Sequence, residues 1–365
     1  MSDTPYGYYD FGDPDEYDTP DYGGLSASET LKKYWGYDGF RPMQAEIIES
    51  VLGGRDTIGL LPTGGGKSIT FQVPALMLPG ITIVVTPLVS LMKDQVDNLK
   101  RRRVPAACLY MGMTRHQAEY AYERCRQGKV KLLYVAPERL ERDSFIGQLA
   151  RWDISLIVVD EAHCISQWGY DFRPSYLRIA ALRERKPGVP VLALTASATP
   201  EVVADIALRL EMKHHKLFTL SFTRDNISFL VRHTDRKYVK LLQILGSVGG
   251  SGIVYVRSRK RTVEIADSLV KSGISASAYH AGLDIETKAE RQDAWHSGQT
   301  RIMVATTAFG MGIDKADVRL VVHYDLPSTL EEYYQEAGRA GRDGRPSVAV
   351  LPVSYTHLRA HETPE

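Results

Sequence analysis

Short apolar runs alternate with amphipathic stretches along most of this chain. In the first half the runs are Asp56–Leu61, Ile81–Thr86, Leu132–Val135, Leu156–Val159 and Val191–Leu194. Each is short for a helix, apolar almost throughout, and bounded by turn-forming residues, which reads as a strand covered on both faces. A second series follows: Gly252–Val256, Ala276–Tyr279, Ile302–Ala305, Val321–His323 and Val348–Leu351. Strands that alternate with helical stretches predict mostly parallel sheets flanked by helices, so the expected class is α/β. Two domains are expected, residues 25–217 and 218–352, joined by a hinge near Phe218–Phe222. Their layouts are alike, without an obvious sequence repeat. A length of 365 residues suits two such cores.

The two ends break the pattern. Residues 1–24 hold seven acids, no Lys or Arg, and almost no aliphatic side chains. Such a segment buries too little apolar surface to order, which predicts a disordered, acidic, Tyr-rich tail. Residues 353–365, from Val353-Ser354-Tyr355-Thr356-His357 onward, resemble one reading frame of a transposon-end sequencing adapter. They are expected to be non-native and are set aside from fold reasoning. The natural chain is then expected to continue past about Pro352.

Charge and cysteine usage narrow the partners. The net charge is +1, but without the two end segments 44 basic residues face 35 acidic ones, a surplus of nine. That suits a polyanionic partner and is common among enzymes too. Cys108, Cys125 and Cys164 are widely spaced with no CxxC pair, against a zinc cluster or a disulfide scaffold. No apolar run reaches the ~20 residues of a membrane span. The N-terminus does not read as a signal peptide. A cytoplasmic location is expected, nucleoid-associated if the source is bacterial.

Three segments carry chemistry. Pro62-Thr63-Gly64-Gly65-Gly66-Lys67-Ser68 follows a predicted strand and precedes an apolar helical stretch. Glycines let backbone N–H groups turn inward around phosphate, and a helix start adds its positive end. Lys67 would reach the β- and γ-phosphates, and the Ser68 hydroxyl would bind Mg²⁺. Leu61 stands at the first Gly position of the longer GxxxxGK[ST] pattern, so only the shorter TGxGKS form is met. Asp160-Glu161-Ala162-His163 lies at the carboxyl end of the run Leu156–Val159. Asp160 there would hold Mg²⁺, directly or through water, and Glu161 would polarise the attacking water. A surface acidic pair capping a strand is the plainer alternative. Directly after it, Trp168, Tyr170, Phe172 and Arg173 crowd into six residues. Bases stack on such rings at about 1–3 kcal/mol each, although a local apolar plug would use the same residues.

These segments resemble the catalytic core of the RecQ family of DNA helicases, in superfamily 2. The blocks that carry the resemblance run from Phe40-Arg41-Pro42-x-Gln44 through Thr63 to Ser68, Thr86-Pro87-Leu88, Ala136-Pro137-Glu138-Arg139-Leu140, Asp160 to Pro174, and Leu194-Thr195-Ala196-Ser197-Ala198. In the second half they are Ala278 to Leu283, Ala305 to Lys315, and Tyr333-Tyr334-Gln335-Glu336-Ala337-Gly338-Arg339-Ala340-Gly341-Arg342-Asp343-Gly344. The resemblance implies two tandem RecA-like domains with ATP and Mg²⁺ between them. It implies that Tyr37 stacks on adenine while Arg41 and Gln44 read its edge. Arg339 and Arg342 would reach across the cleft to the phosphates, with Gln335 placing water or phosphate beside them. His163 stands as a residue coupling nucleotide state to the aromatic loop, or as an ordinary packed histidine. Ser90, Lys93 and Thr306 are further candidates for contacts to the nucleic-acid backbone.

The activity implied is an ATP-dependent 3′→5′ DNA helicase or translocase acting on single-stranded, branched or duplex DNA, in repair or recombination. The family's zinc module and winged helix are absent from the sequence, so zinc is not expected here and duplex unwinding is in doubt. An RNA-directed helicase of the same superfamily and a passive nucleic-acid-binding fragment are the alternatives.

Overall fold

The computed structural model describes residues 24–354, apart from Thr63, Tyr170, Ser197, Phe222, Ala308 and residues 310–314. The first sheet has seven strands: β1 (Thr57–Leu60), β2 (Ile81–Val85), β3 (Ala106–Leu109), β4 (Leu132–Val135), β5 (Ile154–Val159), β6 (Val191–Thr195) and β7 (Lys216–Thr219). Their order is β3-β4-β2-β5-β6-β1-β7, with parallel pairing throughout. Six strands form the second sheet: β8 (Ile227–His233), β9 (Ser251–Tyr255), β10 (Ala276–Tyr279), β11 (Ile302–Ala305), β12 (Val318–His323) and β13 (Ser347–Val353). They lie in the order β10-β11-β9-β12-β13-β8, again parallel.

The continuous apolar runs have a simple cause. Successive side chains of a strand point to opposite faces, and here both faces are covered. Along β5, Leu156 and Val158 enter one core while Ile157 and Val159 enter the other. In β9, Val254 and Ile253 divide in the same way. Burying each such side chain contributes about 1.5–3 kcal/mol.

Three strands were not among the sequence expectations: β3, β7 and β8. Residues Lys216–Thr219 pair with β1, so the expected division between residues 217 and 218 falls inside a strand. The chain passes from one sheet to the other between Thr219 and Ile227. Strand β13 runs on to Val353, the first residue of the stretch set aside as non-native, and pairs there with His233. The rest of that stretch from Tyr355, and the expected tail up to Tyr22 and Gly23, lie outside the described residues.

Among the described residues no helix is long and apolar enough to cross a membrane. Cys108, Cys125 and Cys164 are buried free thiols. Burial pushes the Cys108 thiol up to about 11 and the Cys125 thiol to about 12.

Candidate active site

The parallel topology brings the chemistry to one end. Strand β1 leads into the glycine loop, β5 into Asp160 and Glu161, β2 into Thr86, and β6 ends at Thr195. All lie at carboxyl ends, where open α/β sheets form their ligand crevices.

The glycines of the loop are required by space as well as conformation. Gly64 and Gly66 have φ of 81° and 76°, which side chains rarely adopt. A Cβ on Gly65 would stand 2.9 Å from the Pro62 carbonyl oxygen, and one on Gly66 would collide with the Gln44 amide. The helix Ile69–Met77 begins directly after Ser68, and its first N–H groups bond back to the Gly66, Lys67 and Ser68 carbonyls. Thr63 lies outside the described residues.

Glu161 faces this loop. Its Oε1 lies 3.5 Å from Lys67 Nζ, and both side chains are largely buried. The other oxygen, Oε2, is buried with no hydrogen-bond partner and sits 3.5 Å from His163 Nδ1. Burial alone would raise the Glu161 carboxyl. The Lys67 charge above all, with that of Arg339, outweighs burial and holds it below the usual glutamate range. Its φ of 47° is left-handed for a residue with a side chain, a strain that persists only where the surroundings enforce it.

Asp160 accepts a hydrogen bond from the Glu161 N–H at 3.0 Å and another from Thr86 Oγ1 at 3.4 Å. Tyr176 donates its hydroxyl to the Asp160 carbonyl at 2.9 Å. Burial first, then the adjacent Glu161 charge, push the Asp160 carboxyl up to about 6, and Lys67 only partly offsets them. A raised folded pKa opposes folding above that pH and stops doing so below the unfolded value near 4. Asp160→Asn is therefore expected to stabilise the nucleotide-free chain at pH 7.5 by on the order of 1–3 kcal/mol. That corresponds to a rise in Tm of a few degrees. The gain should shrink as pH falls from 7 towards 5. Calorimetry across that range checks it, and a lower Tm at pH 7.5 would refute it.

His163 is 1% exposed. Its Nδ1 lies 2.9 Å from Thr195 Oγ1 at the end of β6, and burial lowers its pKa, favouring the neutral ring. The histidine thus links the acidic pair to the strand between β5 and β1.

The second domain closes the site. A cavity of about 420 Å³ is lined by Gly64, Lys67, Ser68, Asp160 and Glu161 on one wall and by Gln335, Arg339 and Arg342 on the other. That volume suits a small-molecule ligand. Arg342 already lies over the glycine loop, since a Cβ on Gly64 would stand 3.4 Å from its Cγ. Arg339 is 4% exposed, and its charge reaches Glu161. Its Nε is buried without a hydrogen-bond partner. The helix Leu330–Ala337, started by Thr329 accepting from Glu332 N, presents Gln335 just before these arginines.

On the outer side, Tyr37 is 52% exposed and lines the same cavity. Arg41 and Gln44, expected to read an adenine edge, line the same cavity and bond the glycine loop. Arg41 Nη1 donates to the Gly64 carbonyl at 2.5 Å, and Gln44 Nε2 donates to the Gly66 carbonyl at 2.9 Å. The Gln44 Oε1 accepts from the Arg41 N–H at 2.8 Å.

The aromatic loop is divided. Trp168 is 79% exposed, and Phe172 is half-buried. Arg173 is held locally: Nη2 and Nε lie 3.0 and 3.2 Å from Asp171 Oδ2, and Nη1 lies 3.3 Å from the Pro87 carbonyl. Tyr170 lies outside the described residues.

Sequence reasoning assigned no role to Thr86, Tyr176 or Thr195, which organise the two acids and the histidine. Thr86 and Thr195 stood at strand ends inside the quoted blocks, and that position was their only signal.

Comparisons with known proteins agree with this architecture. Residues 41–206 match the DEAD/DEAH box helicase family, and residues 236–344 match the helicase conserved C-terminal domain. The ATP-dependent DNA helicase RecQ of Pasteurella multocida is 42% identical over 337 residues, covering 91% of this chain and 53% of the relative. The chain thus spans about half the length of that protein. The protein of the same name from Synechocystis sp. is 40% identical over 339 residues, covering 90% of this chain and 71% of the relative. The fold is shared with S. cerevisiae Dbp5 bound to RNA and ADP BeF3, at a TM-score of 0.73, 18% identity, and coverage of 93% and 91%. With that similarity extending over two thirds of a curated relative, this chain belongs to the RecQ family of superfamily 2 helicases.

Proposed function

We propose that this chain is the ATP-driven motor core of a DNA helicase, hydrolysing ATP between its two sheets and coupling that cycle to movement along single-stranded DNA. One observation carries the reading. The glycine loop and two carboxylates of one domain share a single cavity with Gln335, Arg339 and Arg342 of the other. A site whose charges are divided between two domains suits a cycle that opens and closes the cleft. We assign residues 25–219 to the ATP-binding domain and residues 227–353 to the C-terminal helicase domain.

In this reading the backbone of Gly64 to Gly66 cradles the phosphates, and Lys67 turns from Glu161 towards them. Tyr37 covers the base. Ser68 and Asp160 line the cavity together, and one hydroxyl with one carboxylate suits Mg²⁺, which keeps substrate phosphate and water as its other ligands. When bound, the ion neutralises phosphate charge. Glu161, ionised and with Oε2 unpaired, accepts the proton of the attacking water. Arg339 and Arg342 stabilise the charge of the transferring phosphoryl group. His163 relays the state of the acidic pair towards the loop that carries Trp168. Movement in the 3′→5′ sense is proposed from family membership alone.

The test is phosphate release by the purified chain with Mg²⁺ and ATP, measured with no nucleic acid, with a single-stranded DNA oligonucleotide and with an RNA oligonucleotide. Stimulation by DNA is expected. Equal turnover in all three would sink the coupling, and stimulation by RNA alone would reassign the substrate. Trp168→Ala is expected to weaken binding of a labelled single-stranded oligonucleotide by about 5–150-fold, the equivalent of one stacked base. Unchanged fluorescence anisotropy titrations would remove Trp168 from the DNA path.

A further inference from the structure

The segment between the two sheets does more than join them. Arg224 projects from it onto the turn that follows the helix Leu330–Ala337. Its Nη1 donates to the Gly338 carbonyl at 3.1 Å, and its Nη2 donates to the carbonyls of Ala340 and Gly341, both at 3.0 Å. Asn226 Nδ2 donates to the Gly341 carbonyl at 2.7 Å and to the Arg345 carbonyl at 3.0 Å. The bonded carbonyls flank Arg339 on both sides, and the third directly precedes Arg342.

We infer that Arg224 and Asn226 are positioning residues for Arg339 and Arg342, strapping the interdomain linker to the turn that delivers both guanidinium groups to the nucleotide. The inference rests on the hydrolysis reading given above.

Two physical points support it. The guanidinium spreads its N–H donors over a rigid plane, so two of its nitrogens reach three separate carbonyls of the turn. Lysine would have to reach them from a single nitrogen. The turn is also tightly packed where the linker meets it. Gly341 has φ of 58°, and a Cβ there would stand 2.7 Å from Ser347 Oγ and 2.8 Å from the Arg345 carbonyl, besides meeting the Asn226 amide. Ser347 N donates in turn to the Asn226 carbonyl at 2.8 Å, where β13 aligns with β8. The linker's last residues and the arginine turn thus form one body. Any rotation between the sheets must pass through residues 220–226, so the linker that carries the motion also sets where the guanidinium groups arrive.

The experiment measures kcat for DNA-stimulated ATP turnover and the Kd of a fluorescent non-hydrolysable ATP analogue, for the unmodified chain and for Arg224→Ala, Arg224→Lys, Asn226→Ala and Arg339→Ala. Misplacing a catalytic group by about 1 Å costs on the order of 10²-fold. Arg224→Ala is therefore expected to lower kcat by about 10–100-fold and leave Kd within about twofold. Millimolar guanidinium should restore part of kcat to Arg224→Ala, and methylammonium should not. If Arg224→Ala does not fold, Arg224→Lys and Asn226→Ala carry the same comparison with milder losses. Wild-type kcat in the Arg224 and Asn226 variants, or equal losses in kcat and in nucleotide affinity, would overturn the inference. An unmodified chain with no DNA-stimulated turnover would take down the hydrolysis reading itself. Turnover that is lost in Arg339→Ala but kept in Arg224→Ala would sink the positioning role alone.

Discussion

Arg339→Ala is expected to lower DNA-stimulated ATP turnover by about 10³–10⁵-fold, the range for an arginine supplied to a transferring phosphoryl group. The loss should fall on kcat. On the proposed reading Lys67, Ser68 and the glycine loop hold the nucleotide from the other domain, so affinity for a non-hydrolysable ATP analogue should change far less. Arg339 is nearly buried, its Nε has no hydrogen-bond partner, and its side chain bonds the Tyr255 hydroxyl, a bond that the substitution also removes. Steady-state phosphate release and equilibrium nucleotide binding decide the matter. A variant that keeps kcat within tenfold would show that the guanidinium does not reach the reacting phosphate. A variant that loses binding and turnover together would make Arg339 a ground-state contact.

Glu161→Gln is expected to cost about 10²–10⁴-fold in kcat, as befits loss of a general base. Glutamine keeps the size of the side chain but cannot accept the proton of an attacking water. It also removes the charge that holds Lys67 at 3.5 Å. Lys67 is then freer to meet phosphate, so nucleotide binding should be retained or tightened. Single-turnover hydrolysis separates the two effects. Burst and steady-state rates equal to those of the unmodified chain would exclude Glu161 as the base, and a large loss of nucleotide affinity would recast it as part of the binding surface.

Much of this site was legible in the sequence because strand ends and loops that approach phosphate leave few residue choices. Three glycines followed by Lys67-Ser68 fit one backbone shape, and an acidic pair after four branched apolar residues has to sit at a buried strand end. The strands that escaped notice have a common cause. β3, β7 and β8 are all sheet edges. Most of β7 and β8 is exposed, so neither shows an unbroken apolar run, and β3 is built from Ala106, Ala107, Cys108 and Leu109, a weak strand signal. Arg41, Gln44 and Arg173 were legible as residues of the site, but their present partners were not. The Gln44 amide faces Gly66 across a distance of 22 positions in the chain, and no local pattern encodes such a bond. Arg224 lay beyond sequence reasoning for the same reason, since its three acceptors are main-chain oxygens of a turn more than a hundred residues away.

The sealed thiols have a practical side. Cys108, Cys125 and Cys164 are shielded from solvent, and burial raises all three above the range in which a thiol ionises at neutral pH. Maleimide reagents attack the thiolate, so the native chain should stay nearly silent towards them. A cysteine placed at an exposed position on each lobe would then take up donor and acceptor dyes without first stripping the natural ones. The proposed opening and closing of the cleft would then be directly observable by energy transfer, one molecule at a time.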